Sequence, residues 1–126
     1  MKKIILVFCI FITQTSVWAT WTLIATDIDS QDKYYIDRTS IRKDGNFRKA
    51  WLIKEEKKST KSEVLSTRMR LEFDCINERF RYLSFTNHSG TMAQGRILYS
   101  QSETGRWNDT PPDSIGNEIS QDICKR

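Results

Sequence analysis

Along Thr67–Cys75 apolar and polar positions alternate: Thr67, Met69, Leu71, Phe73 and Cys75 fall on one side of an extended chain, and Arg68, Arg70, Glu72 and Asp74 on the other. Alternation with a period of two predicts a β-strand with one face in a core and one in water. Arg79–His88 is predicted to return antiparallel from a turn centred on Ile76–Asn77. That register sets Phe73 against Phe80 and Leu71 against Tyr82 on the inner face, and Asp74 against Arg79 and Glu72 against Arg81 on the outer one. Opposite charges facing each other across a strand pair contribute about 0.2–1 kcal/mol each. Arginines paired in this way read as residues of a solvated sheet face rather than as a ligand-binding patch.

Shorter runs complete the pattern. Trp21–Ala25 and Tyr34–Asp37 predict two strands separated by a polar turn, and Phe47–Ile53 predicts a third after Asp44-Gly45, residue types suited to a turn with positive φ. Asp37–Ile41 reads as a tight or single-turn helical connection, and Lys54–Ser62 (KEEKKSTKS), with almost nothing to bury, as a solvated loop or protruding hairpin tip. Arg96–Ser102 predicts a sixth strand. Beyond Trp107 the period changes: Ile115, Ile119 and Ile123 recur every four residues and place three apolar side chains on one helical face. Thr110, Asp113 or Ser114 is expected to cap that helix, and Pro111-Pro112 is tolerated at its start. The sum is an α+β fold: a six-stranded antiparallel β-sheet with a C-terminal helix packed on one face.

The first residues follow a different plan. Lys2-Lys3, the apolar stretch Ile4–Ile12 and the small-residue site Val17-Trp18-Ala19 have the three-part form of a secretory signal. The apolar stretch is shorter than the roughly 20 residues of a membrane span. Residues 1–19 are therefore expected to be a cleaved signal peptide and residues 20–126 one exported domain with no membrane span, in the periplasm or on the outer cell surface. Cys9 lies inside the apolar stretch rather than at its end, where a lipid-bearing cysteine would sit. Export leaves Cys75 and Cys124 in a compartment where disulfides form, so their pairing is the default expectation. A bridge of that span is worth about 4 kcal/mol in chain-entropy models.

Charge and chemistry then narrow the functional classes. Removing Lys2 and Lys3 from the 20 basic residues leaves an excess of about two over the 16 acidic ones, too slight to imply a nucleic-acid partner. The single histidine, His88, sits in Asn-His-Ser-Gly, a turn composition, and is expected to be an exposed loop residue rather than a catalytic base. Ser89 beside it lies outside any G-x-S-x-G context. Asp27, Asp29 and Asp32 imitate the start of a calcium loop, but its sixth and twelfth positions hold Asp32 and Arg38 instead of glycine and glutamate, so the segment reads as a polar turn. None of the five glycines forms a phosphate-cradling loop. No catalytic residue, cofactor or metal is expected, and the chain reads as non-enzymatic.

Trp21, Tyr34, Tyr35, Trp51, Tyr99 and Trp107 are many aromatic residues for so small a chain, and they are divided between core packing and an exposed, partner-binding surface. The third strand is apolar on both faces, so the face away from the helix is expected to meet a loop or a second copy of the chain. The open sheet edge is another route to a homodimer.

An ordered series of residues resembles a known family. It runs from Trp21 through Tyr34-Tyr-Ile-Asp37, Ser40-Ile41, Asp44-Gly45 and Arg48–Leu52 to Glu72-Phe-Asp-Cys75 and Arg79-Phe-Arg81. It continues with Met92–Gly95, Trp107, Pro112 and Ser114-Ile-Gly116, ending at Cys124. In order and spacing this resembles the surface-adhesin protein E-like domains of Gram-negative bacteria, over essentially all of residues 20–126. The resemblance implies a six-stranded sheet with a C-terminal helix and bridged cysteines. It further implies an adhesin that binds host matrix and plasma proteins and host cells. On that reading the chain is a non-enzymatic exported binding protein whose partner is a host extracellular-matrix or cell-surface protein. Lys57, Lys58 and Lys61 with outward Arg68 and Arg70 are the first candidates for partner contact, set against a merely solvated charged face. The competing reading is a soluble periplasmic structural or envelope-maintenance protein with no host ligand; a small hydrolase built on His88 is the third.

Overall fold

The computed structural model describes residues 9–11, 20–57 and 63–125. Most of the expected signal segment, and both Lys58 and Lys61, lie outside the described residues. Six strands, β1 (Trp21–Thr26), β2 (Lys33–Asp44), β3 (Phe47–Glu55), β4 (Ser66–Asp74), β5 (Arg79–His88) and β6 (Ile97–Gln101), pair antiparallel in chain order. A two-residue strand, β7 (Asn108–Asp109), pairs with Arg79 and Phe80 at the start of β5, and the chain closes with helix α1 (Ile115–Cys124).

The alternating segment forms the centre of the sheet in the expected register. Phe73 faces Phe80, Leu71 faces Tyr82, Glu72 faces Arg81 and Asp74 faces Arg79; one irregularity between Arg70 and Leu71 lets Met69 face Phe85. Ile36, Leu52 and Met69 stand side by side on adjacent strands, and with Ala50, Leu71 and Phe73 they form the buried inner face. Helix α1 sets Ile119 and Ile123 into that core. Of the three candidate caps, Ser114 caps the helix, its hydroxyl oxygen accepting from the Asn117 N–H at 3.1 Å. At the other end Cys124 is bonded to Cys75, just past β4, and Asp122 accepts from Arg38 of β2 at 2.8 Å. The helix is thus held by apolar contact, one covalent bridge and one ion pair.

Three expectations need correction. Asp37–Ile41 does not leave the sheet: β2 runs on to Asp44, with an irregularity between Asp37 and Arg42 where it carries more residues than β3 opposite. The extra residues satisfy their polar groups locally. Asp37 accepts from the Thr39 N–H and hydroxyl, and Ser40 Oγ donates to the Asp37 carbonyl while accepting from the Trp51 N–H. Glu72 and Asp74, placed on the wet face by alternation, are 7% and 1% exposed. His88 is no exposed loop residue; it ends β5 with 6% exposure. The Asp44-Gly45 turn is as expected, with Gly45 at φ +55° at the first position of a two-residue hairpin.

Candidate functional site

The sheet face opposite the helix carries most of the exposed chemistry. Both ends of it are partly covered by the chain itself. At one end Trp107, delivered by the segment leading into β7, packs on Phe47 with ring centroids 6.1 Å apart. At the other the β5–β6 loop reaches over, the Met92 N–H bonding to Glu55 Oε1 and the Ala93 N–H to Ser66 Oγ. Ile53, two residues from Glu55 on the same face, is 1% exposed. The loop thus closes over the Glu55 end of the face, while Trp51 is met by Arg68 of β4.

Under Trp107 the charges are compensated. The Arg79 and Arg81 guanidinium groups lie 4.6 Å and 4.3 Å from its ring centroid. Arg79 Nε donates to Asp74 at 3.0 Å, Arg81 pairs with Glu72 at 2.6 Å, and Lys49 reaches Glu72 at 3.9 Å. Asp74 also organises the β4–β5 turn, accepting from the Asn77 side-chain amide at 2.9 Å and from the backbone N–H groups of Asn77 and Ile76. The Asn77 side chain, with its backbone N–H and Arg79 against the cost of burial, holds the Asp74 carboxyl below its ordinary pKa.

Toward the middle of the face the arrangement differs. Arg68 stacks over Trp51 at 4.6 Å, and Arg70 follows two residues later on the same strand face. The ion pairs among the described residues engage Arg38, Lys49, Lys54, Arg79, Arg81 and Arg96, and neither Arg68 nor Arg70. Beside the stack is a hollow of about 290 Å³ whose walls include Trp51, Arg68, Ser84, Thr86, Ser100 and Ser102. The register explains it: Arg68 faces Thr86, Thr86 faces Ser100, and Arg70 faces Ser84, so short hydroxyl side chains of β5 and β6 leave a step beside the long arginines. Thr86 Oγ1 lies 2.7 Å from His88 Nε2. Burial, and then the charge of Arg68, push the His88 imidazole below its usual pKa, so it is neutral at pH 7.

Of the residues singled out from sequence, Arg68 and Arg70 come together on this face. Lys57 does not join them. It is exposed beyond the last β3–β4 pair, Glu55 with Ser66, and its backbone N–H donates to Asp32. The hydroxyl wall was missed, although Ser84 with Thr86 and Ser100 with Ser102 are two-residue repeats that mark one strand face. The Asp27 segment is a turn, the Asp27 carboxylate accepting from the Asp29 and Ser30 N–H groups.

On the inner face a second hollow of about 210 Å³ lies between α1 and β4–β5, lined by Met69, Leu71, Tyr82, Ile115 and Ile119, with Asp109 and Ser114 as its polar members. Beside it the aromatic rings of Phe73, Phe80, Tyr82, Phe85 and Tyr99 follow one another at 5.7–6.3 Å between centroids. Among the described residues, no helix is long and apolar enough to cross a membrane.

No curated protein matches the chain in sequence. Among solved structures it is similar to Haemophilus influenzae protein E. Crystal form II is 18% identical at a TM-score of 0.57, over 85% of this chain and 97% of that one. The selenomethionine form is 16% identical at 0.62, over 88% and 90%. At such identities the likeness shows the fold, which is the meander and helix described above. The family model for surface-adhesin protein E matches residues 21–125, from the first residue of β1 to the residue after α1, and the chain belongs to that family.

Proposed function

We propose that this chain is a non-enzymatic exported protein of the adhesin E type, made as residues 1–19 of signal peptide and residues 20–126 of binding domain. It recognises a host matrix or cell-surface macromolecule through the outer face of its sheet. The observation that carries this is the pair Arg68 and Arg70: an exposed and a half-exposed arginine two residues apart on the outer face of β4, engaged by no ion pair among the described residues, in a fold where the neighbouring Arg79 and Arg81 are neutralised. Family membership supports the adhesin class. Lys57, Lys58 and Lys61, in the stretch of sequence that follows β3, are the secondary candidates.

The test has two parts. Protease added to intact cells is expected to digest the protein, and the double substitution Arg68→Glu with Arg70→Glu is expected to abolish capture by immobilised host matrix while the protein still unfolds in one cooperative transition. Protection until osmotic shock, or undiminished capture by the double variant, counts against the reading. The position of Cys9 inside the apolar stretch favours a second reading, a soluble periplasmic structural or envelope-maintenance protein, which protection in intact cells would support.

A further inference from the structure

We infer that the Trp51–Arg68 stack and the hydroxyl wall beside it form a binding site for an anionic saccharide unit, a sulfated sugar of a matrix or cell-surface glycan chain. This deepens the reading of the outer face given above and rests on it.

Four features converge. A guanidinium lying on an indole uses its faces for stacking and leaves its in-plane N–H groups available; that planar fork fits the oxygens of a sulfate or carboxylate in bidentate fashion. The Trp51 ring restrains Arg68 before any ligand arrives, so less side-chain freedom is lost on binding. No ion pair among the described residues occupies that fork, whereas Arg79 and Arg81, stacked on Trp107, already hold Asp74 and Glu72. The fourth feature is the wall itself. Ser84, Thr86, Ser100 and Ser102 line a hollow of about 290 Å³, room for about one sugar ring; the three serine hydroxyls each offer a donor and acceptors, while that of Thr86 is shared with His88.

The hollow carries Arg68 as its charged member, with hydroxyl groups, Gln101 and the aromatic residues Trp51 and Phe85 around it, a mixed lining of the kind that meets both the polar edge and the apolar face of a sugar ring. An acidic peptide would match the arginine alone. A saccharide bearing an oxyanion matches the arginine and the hydroxyl wall together, with Arg70 next along the strand for a second anionic group of the chain. His88, neutral and bonded to Thr86, adds no competing charge.

Calorimetry on the purified exported protein, with a heparin-derived sulfated oligosaccharide as probe, tests the site. Binding is expected, and Arg68→Gln is expected to weaken it at least about tenfold, while Arg96→Gln, which removes the same charge from the exposed pair with Glu63, changes it less than about twofold. Arg68→Lys keeps the charge without the fork and is expected to fall between. Ser100→Asp, on the edge strand, is expected to abolish binding with the arginine intact. The chemically desulfated probe should bind far more weakly. No detectable binding, equal losses in the Arg68 and Arg96 variants, insensitivity to Ser100→Asp, or undiminished affinity for the desulfated probe would each overturn the site. Because purified protein is used, the cellular location does not enter: saccharide binding by a protein protected inside intact cells would retain the site and discard the adhesin reading, and surface exposure without saccharide binding would do the reverse.

Discussion

Two arginine–tryptophan arrangements share the outer face, and they differ in one respect. At the Trp107 end, Arg79 and Arg81 lie on the indole and also hold Asp74 and Glu72, both buried carboxylates, one of which closes the β4–β5 turn. At the Trp51 stack, nearer the middle of the face, Arg68 lies on the indole and enters no ion pair among the described residues. Stacking alone is therefore uninformative about role. The paired end has the economy of an internal network, in which every charge has a fixed partner and removal of one strands another. The unpaired end keeps its hydrogen-bonding capacity for something outside the chain. Charge compensation, more than charge, separates the scaffold from the candidate site.

The sharpest way to break the paired end is to release what anchors it. Cys75 follows Asp74 directly, and the Cys75–Cys124 bridge spans 49 positions, so the double serine variant is expected to lose about 4 kcal/mol in urea unfolding and to loosen that turn together with the helix. Asp74→Ala is next, at about 3 kcal/mol, because it leaves Arg79 and the turn N–H groups without their acceptor; chemical denaturation measures it. Acid probes the same end without mutation. The Asp74 pKa is depressed below the ordinary 3.8, so its stabilisation is complete above that value and is lost as pH falls through the lower folded-state value. Asp74→Asn should flatten the unfolding curve in that window, and an unchanged curve would show that the carboxylate is not coupled to folding. The smallest effect belongs to the other end: Arg68→Gln should shift stability by no more than about 1 kcal/mol, the worth of its exposed stacking contact. A loss comparable to that of Asp74→Ala would make Arg68 structural and erase the contrast.

Strands β4 and β5 were legible because two signals agree there: the apolar alternation selects the inner face, and the charge sequence Glu72, Asp74 against Arg79, Arg81 fits one register. Helix α1 was equally plain from three isoleucines at a spacing of four. What stayed hidden depends on residues distant in the chain. Alternation assigns Glu72 and Asp74 to solvent; in the fold Arg79 and Arg81 lie against them, capped in turn by Trp107 from a segment some thirty residues further on. His88 has loop-like neighbours, yet it lies on a strand between β4 and β6. The β2 irregularity was half visible: Asp37, Thr39 and Ser40 are residues that bond to nearby backbone, but sequence did not reveal that the strand resumes at Arg42. At the candidate site Arg68 and Arg70 were identified from strand polarity, whereas the stack on Trp51 is a diagonal contact that exists only once the register of β3 on β4 is known.

The short β7 has an outcome for the folded protein at high concentration. Strand β5 is shared by two partners, β6 along its last residues and β7 at its first two, with a single Gly105 N–H to Tyr82 carbonyl bond between them. That side of the sheet ends in two fragments instead of one ledge, and the opposite border, β1, is broken by an irregularity between Leu23 and Ala25. Among the described residues, neither border offers a crowded neighbour a long uninterrupted row of unpaired amides, which blunts strand-by-strand polymerisation.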